Sequence, residues 1–142
     1  MSVLDRFRLD GKRLFITGGS RGLGREMALA IAEAGADVTL VGRNAESLEQ
    51  TAGDIRKLGR EVVTIIGDVG NPEECEYLCR QALDDAGPFD ILINNAGINI
   101  RGPIDELSPE QFAEVQQINV TGPWLCARAV VPHMKEAGRG RI

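Results

Sequence analysis

A glycine-rich stretch, "TGGSRGLG" at residues 17–24, is the part of this sequence best suited to chemistry. It separates a short apolar run from an amphipathic pattern, so it predicts a turn from a strand into a helix. Glycines in such a turn permit positive φ and let a ligand approach the backbone without meeting a Cβ. The free N–H groups at the start of the following helix favour an anion. The stretch therefore predicts a site for a phosphate or pyrophosphate group.

The glycine spacing narrows this interpretation. Gly18, Gly22 and Gly24 form G-x-x-x-G-x-G, whereas a P-loop needs G-x-x-x-x-G-K-[ST], which the chain lacks. The sequence thus argues against nucleotide hydrolysis and leaves dinucleotide binding open. A tight turn without a ligand is the alternative, but such a turn seldom needs four glycines within eight residues.

Alternating elements must position this turn. Short apolar runs at 13–17, 37–42, 61–67 and 89–94 predict four strands, and helical patterns lie between them. The runs are nearly continuous, as expected for strands buried on both faces of a parallel sheet. The order predicts one α/β domain over residues 1–142. We expect a doubly wound, Rossmann-like fold of three layers with strand order 3-2-1-4.

Helix boundaries are also visible in the sequence. Asn44, Asn71 and the capping box "SPEQ" at 108–111 predict three helix starts. The last helical stretch extends to about residue 137, and we expect Pro123 and Pro132 to divide or bend it. In the first helix, the apolar spacing predicts a buried face made of Leu23, Met27, Ala30, Ile31 and Ala34.

Composition excludes several classes of protein. The net charge of −5 argues against nucleic acid as the main partner. No apolar run is long enough to cross a bilayer, and the first residues lack a secretory apolar core, so the sequence predicts a cytoplasmic protein. Cys75, Cys79 and Cys126 predict buried reduced thiols. No metal site is expected, because the only histidine, His133, lies far along the chain from the cysteine pair in the third helix.

Three further motifs follow the glycine turn in order. "GDV" at 67–69 ends the third strand, "NNAG" at 94–97 ends the fourth, and "QQINVTG" at 116–122 lies in the last helical stretch. With these motifs the chain resembles the short-chain dehydrogenase/reductase family over essentially its whole length. In overall look it is most similar to members of the gluconate dehydrogenase and ketoacyl reductase type.

The resemblance implies roles for individual residues. Asp68 and Val69 would border the adenine of a nicotinamide dinucleotide, and Asn119 would support a proton-relay water in catalysis. The residues implied at the cofactor's pyrophosphate and ribose, or along its length, are Gly18, Ser20, Arg21, Gly22, Leu23, Gly24, Asn95, Ala96 and Gly97. Alternatives remain open: Asp68 as a solvated loop acid, Asn119 as a helix-kink residue, and Asn94 as a tie between strands.

The end of the second strand bears on the choice of nucleotide. An NAD site usually has an acid there, but this chain has Gly42 followed by Arg43. Arg43 and Arg21 could bind a 2′-phosphate, so the sequence favours NADP(H), with NAD(H) possible. The alternative is that Arg43 is an ordinary solvated residue at a helix start.

Catalysis in the resembled family uses a Ser and a Tyr within Y-x-x-x-K. The single tyrosine here is Tyr77. Four positions later, where the motif has Lys, the chain has Gln81, so we do not expect Tyr77 to be catalytic.

"RGRI" at 139–142 begins a fifth strand. We therefore expect the cofactor-binding part of an oxidoreductase acting on a carbonyl or alcohol, inactive alone. A non-catalytic dinucleotide-binding or interaction module is the alternative. The apolar fourth strand and last helix predict a homo-oligomer.

Overall fold

Four parallel strands form the centre of the computed structural model, which describes residues 1–142. The strands are β1 (Arg13–Thr17), β2 (Asp37–Gly42), β3 (Val62–Ile66) and β4 (Ile91–Asn94). Their order in the sheet is β3-β2-β1-β4, which confirms the predicted topology.

Helices cover both faces of this sheet, as a doubly wound fold requires. They are α1 (Gly22–Glu33), α2 (Ala45–Lys57), α3 (Pro72–Ala86), α4 (Pro109–Gln116) and α5 (Gly122–Ala137), and a 3₁₀ turn (Leu4–Phe7) precedes β1. None of the helices is long and apolar enough to span a bilayer. The carboxyl ends of β1, β2 and β3 each lead into a helix, so three helix N-termini lie along one edge of the sheet.

Two apolar clusters hold the layers together. Leu14 and Ile16 of β1 pack with α1 and α2 on one face, whereas Phe15 between them packs with α3 and α5 on the other. Successive residues of a strand point to opposite faces. This explains why β1 is apolar at every central position rather than at alternate ones.

The buried face of α1 agrees with the prediction only in part: Met27 and Ile31 pack partly buried against the core, but other predicted residues do not. Gly24, Ala28 and Ala32 are the buried residues, whereas Leu23 is 78% exposed and Ala30 is exposed. The apolar pattern pointed to the larger side chains. Small residues instead line the face against the sheet, because they let the helix backbone lie close to β1 and β2.

The predicted helix caps are confirmed. The side chains of Asn44 and Asn71 each accept a hydrogen bond from the backbone N–H three residues later. Ser108 forms a complete capping box with Gln111. These caps fix the starts of α2, α3 and α4.

The last helical stretch is divided beside Pro123, as predicted, but not at Pro132. A π-helical segment (Gln117–Thr121) separates α4 from α5. Pro123 lies in the first turn of α5, directly after the π-helical segment, and Pro132 lies inside α5 without ending it. At the start of α5, a Cβ on Gly122 would lie 2.9 Å from the carbonyl oxygen of Val69, so α5 passes close to the loop after β3.

The outer edge of β4 begins a fifth strand position. The Arg141 carbonyl accepts from the Leu92 N–H at 2.9 Å, and the Arg141 N–H donates to the Asp90 carbonyl at 3.0 Å. Arg141 and Ile91 form a single parallel bridge. The strand that the sequence predicts after residue 138 is therefore present as this one bridge.

Candidate functional site

A groove of about 670 Å³ follows the carboxyl edge of the sheet. The turns after all four strands contribute to it, as expected for a ligand site in a doubly wound fold. Its lining consists of Gly18, Ser20, Arg21, Gly22, Val41, Gly42, Arg43, Asn44, Ser47, Gly67, Asp68, Val69, Asn95, Ala96, Gly97, Ile98 and Ile118.

The three motif glycines are needed for different reasons. A Cβ on Gly18 would lie 2.9 Å from Asn95 Nδ2, and a Cβ on Gly24 would collide with the carbonyl oxygen of Gly18. A Cβ on Gly22 would meet no atom within 4 Å, but its φ of +56° is one that other residues rarely adopt. Gly18 and Gly24 are thus required by packing inside the turn. Gly22 alone of the three borders open space.

The start of α1 is left open toward the groove. Its N-cap residue, Arg21, has an extended backbone and makes no side-chain cap, and the first turn contains no acidic residue. The first N–H groups of a helix lack backbone partners, and the helix dipole places partial positive charge there. This end of α1 can therefore accept an anion.

A buried hydroxyl joins the glycine turn to the end of β4. Thr17 Oγ1 accepts hydrogen bonds from the backbone N–H groups of Asn95 and Ala96, both at 3.1 Å. Asn95 Nδ2 donates to the carbonyl oxygen of Gly18 at 3.0 Å, so this amide holds the turn. Sequence reasoning missed the role of Thr17, although it opens the glycine motif and lies in register with Asn94 in the sheet.

Asp68 lies at the β3 end of the groove and is partly buried. Its Oδ1 accepts from the Gly70 N–H at 2.8 Å, and its backbone N–H donates to Glu74 Oε1 at 2.9 Å. The other carboxylate oxygen has no partner within the chain and can accept from a ligand. Val69 beside it is 7% exposed and also belongs to the apolar core.

Asn119 lies in the π-helical segment and does not line the groove. Its Oδ1 accepts from the Ile98 N–H at 2.9 Å, and its Nδ2 donates to the Ile98 carbonyl at 2.8 Å. Both ends of the amide therefore fix the loop after β4. Gly97 and Ile98 of that loop line the groove, so Asn119 positions part of the lining without lining the groove itself.

Two arginines face the groove near the end of β2. Neither Arg21 nor Arg43 forms an ion pair with any carboxylate of the chain. Gly42, which precedes Arg43, is tightly enclosed: a Cβ there would lie 3.2 Å from Leu48 Cδ2 and 3.5 Å from Ser20 Cβ. An acidic side chain at this position would press against Leu48. This end of the groove therefore carries two guanidinium groups that no carboxylate of the chain neutralises.

Several predicted residues lie outside the groove. Leu23 projects into solvent, and Gly24 is buried behind the turn. Asn94 was expected to tie neighbouring strands, but its Nδ2 approaches the Pro123 carbonyl of α5 at 3.4 Å, and its buried Oδ1 has no partner. Tyr77, which was not predicted to belong to the site, is 60% exposed on α3 and does not line the groove.

Some lining residues were missed by sequence reasoning. Asn44 and Ser47 line the groove from the start of α2, and Ile98 and Ile118 add apolar lining. The sequence signal for Asn44 was read only as a helix cap. The position of its helix start at the carboxyl edge of the sheet was sufficient to place Asn44 and Ser47 near a ligand.

The three cysteines are free and buried, as predicted. The structure also brings Cys126 of α5 against Cys75 and Cys79 of α3, with sulfur–sulfur distances of 3.8 Å to each. Hydrogen bonds with Cys75 and Cys79, together with burial, raise the pKa of Cys126, so this thiol is protonated at neutral pH. The sequence showed the pair one turn apart but gave no sign that Cys126 contacts it.

Comparisons with known proteins agree with this arrangement. Residues 12–142 match the family described as short chain dehydrogenase. Gluconate 5-dehydrogenase of Gluconobacter oxydans is 39% identical over the whole chain and 56% of that relative. The chain spans about half the length of the curated relatives it matches.

Solved structures are similar to nearly the whole chain in three dimensions. Gluconate 5-dehydrogenase from Burkholderia cenocepacia in complex with NADP and tartrate has a TM-score of 0.88 and 37% identity, covering 98% of this chain and 55% of that one. Carveol dehydrogenase from Mycobacterium avium in complex with NAD has a TM-score of 0.85 and 31% identity, covering 94% and 53%.

Proposed function

Because the chain belongs to the short chain dehydrogenase family, we propose that it is the nucleotide-binding part of an NADP(H)-dependent oxidoreductase acting on a carbonyl or alcohol. The observation that carries the proposal is the groove itself. An open helix start, a glycine bordering empty space and two unpaired arginines all converge on it. These groups fit an extended dianionic ligand with a further phosphate.

The groove residues divide into three binding regions. Gly18, Ser20 and Gly22 would surround the pyrophosphate together with the first N–H groups of α1, while Leu23 and Gly24 shape that turn without lining the groove. The free oxygen of Asp68 would accept a hydrogen bond from the adenine amine, beside Val69.

At the other end, Asn95, Ala96 and Gly97 leave a narrow floor for a flat ring. The nicotinamide supplies or accepts the hydride when bound. Asn119 would contribute to the reaction by fixing the Ile98 loop beside this floor. The role in proton transfer that the resemblance implies for Asn119 remains a prediction.

The residues at the end of β2 support NADP(H) over NAD(H). Related structures hold NADP in one case and NAD in another, so the family alone does not fix the nucleotide. In this chain, Arg21 and Arg43 offer two guanidinium groups, whose geometry and charge match a 2′-phosphate. Gly42 stands where NAD sites usually have the acid that binds the ribose hydroxyls, and it supplies no carboxylate.

Titration with NADPH and NADH, followed by nucleotide fluorescence, tests this proposal. We expect tighter binding of NADPH. Arg43→Asp should lower NADPH affinity by about 1.5–3 kcal/mol, roughly 10- to 150-fold, without weakening NADH. Arg6→Asp, which makes the same charge change in the 3₁₀ turn, is the matched control and should leave both affinities unchanged. Equal affinities in the parent protein would contradict the NADP preference, and no binding of either nucleotide would contradict the function.

The second candidate is a nucleotide-binding or interaction module without catalysis. The observation in its favour is that no tyrosine or histidine lines the groove. Reduction of a carbonyl requires a positioned acid to protonate the product oxygen. We therefore expect this chain alone to bind NADPH but to turn over no ketoacyl, keto-sugar or simple ketone substrate, measured as loss of NADPH absorbance. Reproducible turnover by pure protein would show that an acid outside the described groove reaches the substrate.

Self-association also remains a prediction. Phe112 of α4, Val120 of the π-helical segment and Trp124 of α5 are all more than half exposed. These side chains lie along one continuous helical stretch and form an apolar surface that a second copy could cover. Light scattering at micromolar concentration distinguishes a monomer from a dimer or tetramer.

A further inference from the structure

Three thiols from two helices meet inside the core. Cys75 and Cys79 lie one turn apart on α3, and Cys126 faces both of them from α5. The Sγ atom of Cys126 is 3.8 Å from each of the other two, and all three sulfur atoms lie within 4.8 Å of one another. Cys126 lies 51 positions after Cys75 and 47 after Cys79 in the sequence, yet the three form one compact triangle.

The surroundings of this triangle are apolar. Each cysteine is at most 2% exposed and belongs to the cluster that also contains Leu78, Ala82 and Leu125. No carboxylate or imidazole joins the three sulfurs as a fourth ligand. The only other polar atom recorded against them is the Gly122 carbonyl oxygen, 3.9 Å from Cys75 Sγ.

The dimensions of the triangle suit a metal ion. An ion equidistant from three sulfurs with these separations would lie about 2.2–2.5 Å from each, close to the ~2.3 Å of a zinc–thiolate bond. No movement of α3 or α5 is needed to reach bonding distance. Structural zinc is almost always held by four ligands, so a site with three favours a different ion. Thiolate ligands select soft ions such as Cu(I).

We propose that Cys75, Cys79 and Cys126 form a binding site for a single Cu(I) ion, separate from the nucleotide groove. Each thiol that becomes a ligand releases its proton to solvent as the sulfur–copper bond forms, and no atom changes oxidation state. The ion would join α3 to α5 on one face of the sheet, so binding should stabilise the folded chain.

An anaerobic titration of the reduced protein tests the site. Cu(I) is supplied in complex with a chromophoric chelator, and transfer to the protein is read from the loss of the chelator's colour. We expect one Cu(I) per chain and a rise in Tm on binding. X-ray absorption should show three sulfur neighbours at about 2.3 Å. Zn(II) at the same concentration should bind far more weakly.

Variants then assign the ligands. Cys126→Ala and Cys79→Ala should each weaken Cu(I) binding by more than the ~10- to 100-fold expected for loss of an outer partner of a metal ligand. Met134→Leu is the matched control, because it removes another buried sulfur from α5 two helical turns away and should leave the affinity unchanged.

Three results would overturn the proposal. They are the absence of stoichiometric Cu(I) binding by the folded parent protein, full affinity in both cysteine variants, or fewer than three sulfur neighbours in the absorption spectrum. Far-UV circular dichroism checks that each variant is folded. If one cysteine variant fails to fold, the other variant and the spectrum of the parent protein still decide.

Discussion

The starts of α1 and α3 lie at the same edge of the sheet but are completed in opposite ways. α3 begins with Asn71, whose side chain accepts from a backbone N–H, and its first turn carries Glu73 and Glu74. α1 begins with Arg21, which makes no cap, and no acidic residue lies in its first turn. The positive end of α3 is satisfied by the chain itself, whereas that of α1 is not.

The other capped helices resemble α3, and of these α2 starts at the same edge. Asn44 and Glu46 complete α2, and Ser108 and Glu110 complete α4. A helix that only covers the sheet gains stability from such residues. The start of α1 has no such stabilising residue, and its free N–H groups stay open to solvent. A bound anion requires this arrangement.

Completing α1 in the manner of α3 should have the largest effect. Arg21→Asp introduces a capping carboxylate where a pyrophosphate would lie and removes a guanidinium from the groove. We expect nucleotide affinity to fall by about 3 kcal/mol, more than 100-fold, from lost attraction and new repulsion. The free energy of unfolding should stay the same or rise by about 0.5–1 kcal/mol, because the new side chain caps the helix.

Nucleotide fluorescence and urea unfolding measure these two quantities on the same protein. Arg21→Ala is the control, since it removes the positive charge without adding a cap or a negative charge. It should weaken binding less and should not raise stability. Unchanged nucleotide affinity in Arg21→Asp would show that the open helix start is not an anion site.

A smaller effect is expected where the turn borders open space. Gly22→Ala places an ordinary residue at φ +56°, which should cost about 1–2 kcal/mol of stability, and adds a methyl group on the groove side. Gly59→Ala is a close match, because Gly59 has φ +75° and open space around it but follows α2 at the opposite edge. Both variants should lose similar stability by thermal unfolding. Only Gly22→Ala should also lose nucleotide affinity, and equal binding by the two variants would contradict a ligand at Gly22.

The smallest effect is expected from removing a cap that faces no ligand. Asn71→Ala should lower the free energy of unfolding by about 1 kcal/mol, because the Glu74 N–H loses its partner. Asn71 does not line the groove, so nucleotide affinity should be unchanged. Urea unfolding and fluorescence titration check both statements, and a large loss of binding would mean that the α3 start also contributes to the site.

Much of the fold followed from local sequence signals. Continuous apolar runs located the four strands, and Asn44, Asn71 and Ser108 located three helix starts, because each signal acts within a few residues. The strand order was expected from the fold type and is confirmed. The groove could be predicted in outline because ligands bind where parallel strands end.

What the sequence did not reveal depends on contacts between distant residues. The buried face of α1 was predicted only in part: Met27 and Ile31 do pack against the core, but the fully buried positions are Gly24, Ala28 and Ala32, whose small size lets the helix lie close to the sheet. The Asn119 contact with Ile98 and the meeting of Cys126 with α3 join segments that no local pattern relates. Such contacts become visible only when the layers are assembled.

The Thr17 hydrogen bonds also bear on when the groove can exist during folding. The residues that they join, Thr17 with Asn95 and Ala96, are separated by 78 and 79 positions in the sequence. The turn after β1 is therefore fixed only when β4 has paired beside it. Contacts this distant in sequence form late, because the intervening chain must first be ordered. On a ribosome, a nascent chain with only its first three strands exposed would present the glycine motif without a formed pocket. Nucleotide binding by a nascent chain would therefore indicate that β4 has paired with β1.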